Sequence, residues 1–266
     1  MTNEQQAEHR FVLTTALSLL AVVGGQSVVA GEGEAPSTVA ASNDMNIVRQ
    51  RILKPLLEPV PAETARSLMN ALQPDGSWPD INYKDSGRAG WKTARHLSAV
   101  TTLARAYRSP ESKLQGDESL RGAVLRSLDY WLSHDFRNPN WWWNQIGVPR
   151  SLLPTVLLVE KDLSAEQRGR ASTILSRAGL GMTGQNRVWV AEITAGLGIL
   201  ENDPELVATA YRSIADEIQL TTGEGIQSDF SFHQHGPCLY NHGYGAAFAV
   251  DGSRIATQVA GTRFAF

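Results

Sequence analysis

A single cysteine, Cys238, stands in 266 residues, so no intramolecular disulfide can form and stability has to come from packing. An excess of charge of either sign is also missing. The formal net charge is −3 and the isoelectric point near 6.1, which argues against a general nucleic-acid binder, a class marked by basic excess. A local basic cleft for an anionic substrate is compatible with that balance. Strand-like alternation is scarce, which leaves little room for a β architecture.

Long apolar runs are lacking too. The uncharged stretch "FVLTTALSLLAVVGG" (11–25) is too short to span a bilayer comfortably. Arg10 precedes it and "SVVAGE" offers a small-residue cleavage site after Ala30. Glu4 and Glu8 offset the positive charge of the leading segment, so the alternative is a disordered or membrane-anchoring tail. The expectation is a signal peptide over 1–30 and a secreted or periplasmic protein with no stable membrane insertion after cleavage. Residues 31–44, "GEGEAPSTVAASND", are small and polar and read as a linker.

From residue 45 onward apolar residues recur at three- and four-residue spacing. The stretches "NIVRQRILKPLLEPV", "WKTARHLSAVTTLARAYRS", "ESLRGAVLRSLDYWLSH" and "RVWVAEITAGLGILEN" carry the pattern. Asp203-Pro204 sets a capping residue just before a proline, a helix-start signal. The length suits one large domain or two small ones. The expected fold is all-α and built of helical hairpins, whether as a bundle, a solenoid or a ring.

Unusual residues cluster between the helices. "NPNWWWNQIGVPR" holds Trp141, Trp142 and Trp143 in succession. Neighbouring side chains on a helix point about 100° apart, so the three indoles cannot all enter one core face. They are core anchors or an aromatic platform for sugar rings, and Asn140 and Asn144 beside them bind sugar hydroxyls or cap the helix. In "MTGQNRVWV", Asn186 and Arg187 stand at a loop-to-helix junction, where a plain N-cap competes with an amide aimed at a substrate carboxylate. "SDFSFHQHGPCLYNHGYG" (228–245) packs His233, His235, His242, Cys238, Tyr240 and Tyr244 into eighteen positions. The histidine and cysteine spacings match no common structural-zinc pattern, so no metal and no cofactor are expected. A polar loop and acid–base chemistry by His235 and Tyr244 remain.

Taken together, "NWWWNQIGVPR", "TGQNR", "DFSFHQHGPCLYNHGYG" and the upstream "DGSWPDINY" resemble polysaccharide lyase family 8, the chondroitin AC, hyaluronate and xanthan lyases, over roughly residues 45–250. The resemblance implies an (α/α) toroid of helical hairpins and β-elimination on a uronic-acid polysaccharide. It places the family's Asn, His and Tyr on Asn186, His235 and Tyr244, and its aromatic patch on Trp141 and Trp142, with Trp143 beside them. Asn140, Asn144 and Arg187 are expected to help bind the anionic polysaccharide, and no nucleic-acid partner is expected.

The resemblance also implies an arginine and a glutamate from later helices and a β-sandwich region, none of which occurs here. The expectation is therefore an incomplete toroid over 45–266, truncated at its C-terminal end. Two rivals stand beside the lyase: a non-catalytic uronan-binding toroid, and a helical-toroid glycoside hydrolase. The hydrolase needs a placed carboxylate pair, for which Asp80, Asp85 and Asp229 are candidates.

Overall fold

The computed structural model describes residues 38–266. The expected signal peptide and the first part of the expected linker lie outside the described residues. Helix α1 runs Thr38–Leu56, so the chain is helical seven residues before the expected linker ends. The described chain is otherwise helical, as the periodicity predicts. Eight more helices follow: α2 Ala62–Ala71, α3 Arg95–Arg108, α4 Glu118–His134, α5 Val148–Leu158, α6 Ala165–Leu175, α7 Gly184–Glu201, α8 Pro204–Glu217 and α9 Ala246–Val259. Strands β1 (Gly225–Ile226) and β2 (Phe232–His233) form one short antiparallel hairpin. Among the described residues, no helix is long and apolar enough to cross a membrane.

The described chain falls into two compact units. One comprises residues 49–179 and 196–203. In it α3 packs on α2, α4 and α5, while α6 packs on α4 and α5. Local signals set the helix ends. The Asp117 carboxylate accepts the Leu120 N–H at the start of α4, and Ser164 with Gln167 forms a reciprocal capping box at the start of α6. Helix α5 buries Leu152, Leu153, Val156 and Leu157, each contributing about 1.5–3 kcal/mol on leaving water. Because α5 is apolar nearly all round, a helix at the centre of its unit is the only placement that covers it.

The other unit gathers the described residues up to Val48 with 180–195 and 204–266. Helix α8 begins at Pro204, as the Asp203-Pro204 signal predicts. The hairpin carries the histidine-rich loop and ends in a kinked wide turn, Asn241–Gly245, leading into α9. The kink has a local cause, since His242 is extended (ψ 148°) and Gly243 takes φ 76°. Phe232 N–H donates to Asn241 Oδ1 at 2.6 Å and Tyr240 N–H to the Phe232 carbonyl at 2.7 Å, which fixes the turn against β2.

Candidate active site

The three tryptophans straddle the entry to α5. Trp141 is 48% exposed, whereas Trp142 and Trp143 are half-buried, so the indoles do splay apart. A wide helical turn over Trp143–Gly147 makes the splay possible. A side chain at Gly147 would collide with the rings of Trp142 and Trp143, so glycine there lets both indoles lie down. Trp143 donates Nε1–H to the Arg88 carbonyl at 3.2 Å and meets Trp91 edge-on at 5.7 Å.

The two flanking asparagines are engaged in holding this loop. Asn144 clasps the Asn138 backbone at both ends, accepting its N–H at 2.9 Å and donating to its carbonyl at 2.7 Å. Asn140 caps Trp142 N–H at 3.1 Å and donates to the Arg88 carbonyl at 3.0 Å.

In the other unit the histidine-rich loop brings His235 to Tyr244. Their ring centroids are 5.1 Å apart and perpendicular. Tyr240 stands edge-on to Tyr244 at 5.0 Å and Trp189 lies 5.7 Å from it. Trp189 comes three residues after Asn186 in α7, so the two side chains share a helix face. Trp189 on that face is the residue that reaches the Tyr244 ring. Asn186 is 8% exposed and its Oδ1 is buried with no hydrogen-bond partner. With Oδ1 unpartnered, the Asn186 side chain does not accept a backbone N–H as an N-cap would.

His235 is exposed, with φ 60°, a left-handed conformation that favours glycine, and Gly236 follows at φ 77°. The histidine is thus held in a conformation it would not choose, at a cost of about 1–2 kcal/mol. Gln234, which is fully buried, anchors one side by accepting the Gln185 N–H at 2.9 Å.

Comparison with known proteins explains why these parts occur together. A family model described as "Polysaccharide lyase family 8, N terminal alpha-helical domain" matches residues 37–266. The chain belongs to polysaccharide lyase family 8. It is 29% identical to chondroitinase-AC of Pedobacter heparinus over 226 residues, covering 82% of this chain and 32% of that protein. It is 26% identical to a hyaluronate lyase of Thermasporomyces composti, covering 90% of this chain and 34% of the relative. A xanthan lyase of Bacillus sp. is 26% identical over 73% of this chain. Among solved structures, a chondroitinase AC lyase superposes with a TM-score of 0.77 at 28% identity, over 84% of this chain and 34% of that one. The chain thus spans about a third of the length of the first two relatives. The fold class is the family's α/α toroid, as the sequence motifs imply.

Within this family domain, the electrostatics around Tyr244 run against easy ionisation. Burial first, then Tyr240 and the Glu224 charge, push its phenol above the ordinary tyrosine value. Arg187 is engaged within its own unit. Its guanidinium donates to Ser213 at 3.0 Å and Glu217 at 3.1 Å and lies 3.6 Å from Asp216. Glu217 also accepts the Gly184 N–H. Burial raises the Glu217 carboxyl, and the Gly184 N–H and Arg187 only partly offset this. With the Gly184 and Gln185 N–H groups engaged by Glu217 and Gln234, two amides at the start of α7 are unavailable to an incoming anion.

Several contributors escaped the sequence reading. Trp189 is oriented by its Nε1–H to Asp251 at 3.0 Å, and Asp251 also accepts Gln185 Nε2–H at 2.8 Å and pairs with Arg254 at 2.9 Å. The spacing of three from Asn186 was the available signal for Trp189; Glu224 and Asp251 sit in plain helical or loop context and offered none. Among the described residues, no group of three or more His, Cys, Asp or Glu side chains is arranged to hold a metal ion. The carboxylates a hydrolase would need are engaged locally: Asp80 pairs with Arg95 at 2.9 Å, Asp85 accepts the Lys92 N–H at 2.7 Å, and Asp229 accepts the Ser231 N–H at 3.0 Å.

Proposed function

We propose that this chain carries the Asn–His–Tyr side of a lyase site that cleaves a uronic-acid polysaccharide, such as chondroitin or hyaluronan, by β-elimination. The observation that carries the reading is the perpendicular His235–Tyr244 contact at 5.1 Å, beside which α7 places Trp189, three residues after Asn186.

A uronate C5 proton is hardly acidic while the adjoining carboxylate is ionised, because the carbanion places charge beside charge. The Asn186 amide, helped by His235, donates hydrogen bonds to that carboxylate and stabilises the charge that builds on it. Tyr244 as phenolate takes the C5 proton. The electron pair forms the 4,5 double bond, the C4–O4 bond breaks, and the phenol returns the proton to the departing O4. Atoms and charge balance without water as a reactant. Trp141, the exposed indole, offers a stacking face for a sugar ring. The substrate is an anionic polysaccharide encountered outside the cell, which agrees with the expected export signal.

The test is to incubate the protein with chondroitin, hyaluronan and xanthan while following ultraviolet absorbance and reducing ends together. Both should rise in step, because each elimination creates one unsaturated uronate. Reducing ends without absorbance would mean hydrolysis and end the lyase reading. Binding without cleavage would favour the uronan-binding alternative.

A further inference from the structure

Glu224 precedes β1 and touches the site only through its neighbours. Its carboxylate accepts hydrogen bonds from three separate places. Thr183 Oγ1–H, just before α7 and Asn186, donates to Oε2 at 2.6 Å. Gly236 N–H, just after His235, donates to Oε1 at 2.8 Å. Gln234 Nε2–H, just before His235, donates to Oε2. Gln234 in turn accepts the Gln185 N–H through its own Oε1. One carboxylate and one amide therefore stitch residues 183–186 to residues 234–236, the two segments that carry Asn186 and His235. At Gly184 the chain takes φ 58°, and a side chain there would overlap the Gln234 amide, so the stitch requires glycine at that point.

We propose that Glu224 is a positioning residue for the His235–Tyr244 pair, its carboxylate clamping the left-handed His235–Gly236 turn against the segment that leads into Asn186. The proposal rests on the lyase reading above and names a residue that reading does not need. A left-handed histidine relaxes unless neighbouring bonds hold it, and the bonds on either side of His235 both end on Glu224.

The same carboxylate has an electrostatic signature. Burial alone would raise it, but the bonds from Thr183 and Gly236 and the nearby His235 bring it below the ordinary carboxylate range. Its charge in turn contributes to raising Tyr244. The groups facing Tyr244 are His235 and Tyr240 from the loop, Trp189 from α7 and the Glu224 charge; Glu224 also acts on Glu217. A Glu224 carboxylate not held beside the pair would leave the titration of Tyr244 where it is.

The experiment compares wild type with Glu224→Ala and Glu224→Gln in three readouts. In Glu224→Ala, Gly236 amide hydrogen exchange should speed up about tenfold, the loss expected for one charge-assisted hydrogen bond. By NMR of ring-labelled tyrosine, Tyr244 should titrate at lower pH in both variants. Turnover in Glu224→Ala should fall by up to about 10²-fold with KM little changed, as for a misplaced catalytic group. Glu224→Gln keeps an acceptor for Gly236, so it should recover much of the turnover, with the rising limb of its pH profile moved to lower pH. If Glu224→Ala fails to fold, Glu224→Gln alone decides through the Tyr244 titration. Unchanged Gly236 exchange in a folded Glu224→Ala, or an unmoved Tyr244 titration in either folded variant, overturns the proposal. If wild type cleaves no uronan, the lyase reading falls, while exchange and titration still decide the clamp.

Discussion

The imidazoles of His96 and His235 each lie within 6 Å of a tyrosine ring, 5.8 Å from Tyr83 in one case and 5.1 Å from Tyr244 in the other. The two pairs share residue types and near-perpendicular rings, yet their surroundings differ. His96 is fully buried, and both of its ring nitrogens are satisfied, by Tyr83 Oη at 2.9 Å and the Ser127 carbonyl at 2.8 Å. Tyr83 Oη also accepts the Trp78 N–H at 3.0 Å, so it donates to His96, whose remaining N–H goes to Ser127. Burial holds His96 down to about 4 and Tyr83 up to about 12. Neither changes charge near neutrality. His235 is exposed and conformationally strained, and Tyr244 is half-buried among rings, its phenol without a hydrogen-bond partner among the described residues. Closed polar accounts make a histidine–tyrosine pair into scaffold; open ones leave it able to exchange protons.

The largest contrast comes from removing the two phenol oxygens. Tyr244→Phe should lower turnover by at least about 10²-fold with little change in substrate affinity or melting temperature. Tyr83→Phe should do the reverse, costing about 1–3 kcal/mol of stability because a buried Trp78 N–H and a His96 nitrogen lose their partner. Turnover per folded molecule should hold. Separate measurements of kcat, KM and thermal unfolding check both; a Tyr244→Phe variant with near-normal turnover would move the base role to His235.

A second contrast lies in stability against pH. His96 is neutral in the folded state down to about pH 4, whereas unfolded it binds a proton near 6.5. The unfolded chain therefore holds more protons between these values, and stability falls as pH drops from about 6.5 to about 4. The loss should approach about 3 kcal/mol at the bottom of that window. Denaturant melts of wild type and His96→Asn at pH 7.5 and 5 isolate the effect as a difference in slope. Parallel slopes would remove His96 as the cause.

How much of this was legible follows from the same contrast. The helices were readable, because apolar spacing and caps such as Ser164 and Asp203-Pro204 are local signals. His235, Tyr244 and Asn186 could be picked out as candidates because the loops bearing them are compositionally odd. Partnerships were not. Whether Asn144 faces a sugar or the Asn138 backbone depends on a six-residue loop closing on itself, and whether Arg187 is open depends on Glu217, thirty residues away. His96 sits in an ordinary amphipathic pattern, and nothing local announces that both its nitrogens are satisfied. The start of α1 at Thr38 was masked by small polar residues, which are weak but tolerated in helices.

The pH dependence of catalysis is a third contrast. Since the Tyr244 phenol is raised above its ordinary value near 10, its phenolate fraction grows about tenfold per pH unit through neutrality. Log kcat/KM should climb with near-unit slope past pH 9 rather than level off. A plateau below pH 8 would mean that another group is the base.

The smallest expected effect separates the indoles. Trp141 is largely exposed, while Trp143 is half-buried, bonded to the Arg88 carbonyl and packed against Trp91. Removing Trp141 takes little from the fold but deletes a stacking face. Trp141→Ala should therefore weaken oligosaccharide binding by about 1 kcal/mol, roughly fivefold, with an unchanged melting temperature. Trp143→Ala should cost about 2–3 kcal/mol of stability, toward the low end for losing a large aromatic because it is only half-buried. Its folded fraction should bind nearly normally. Calorimetric titration beside thermal melts distinguishes the two. If Trp141→Ala binds as wild type does, the platform is not Trp141, and the sugar-facing role passes to Trp142, the remaining member of the run.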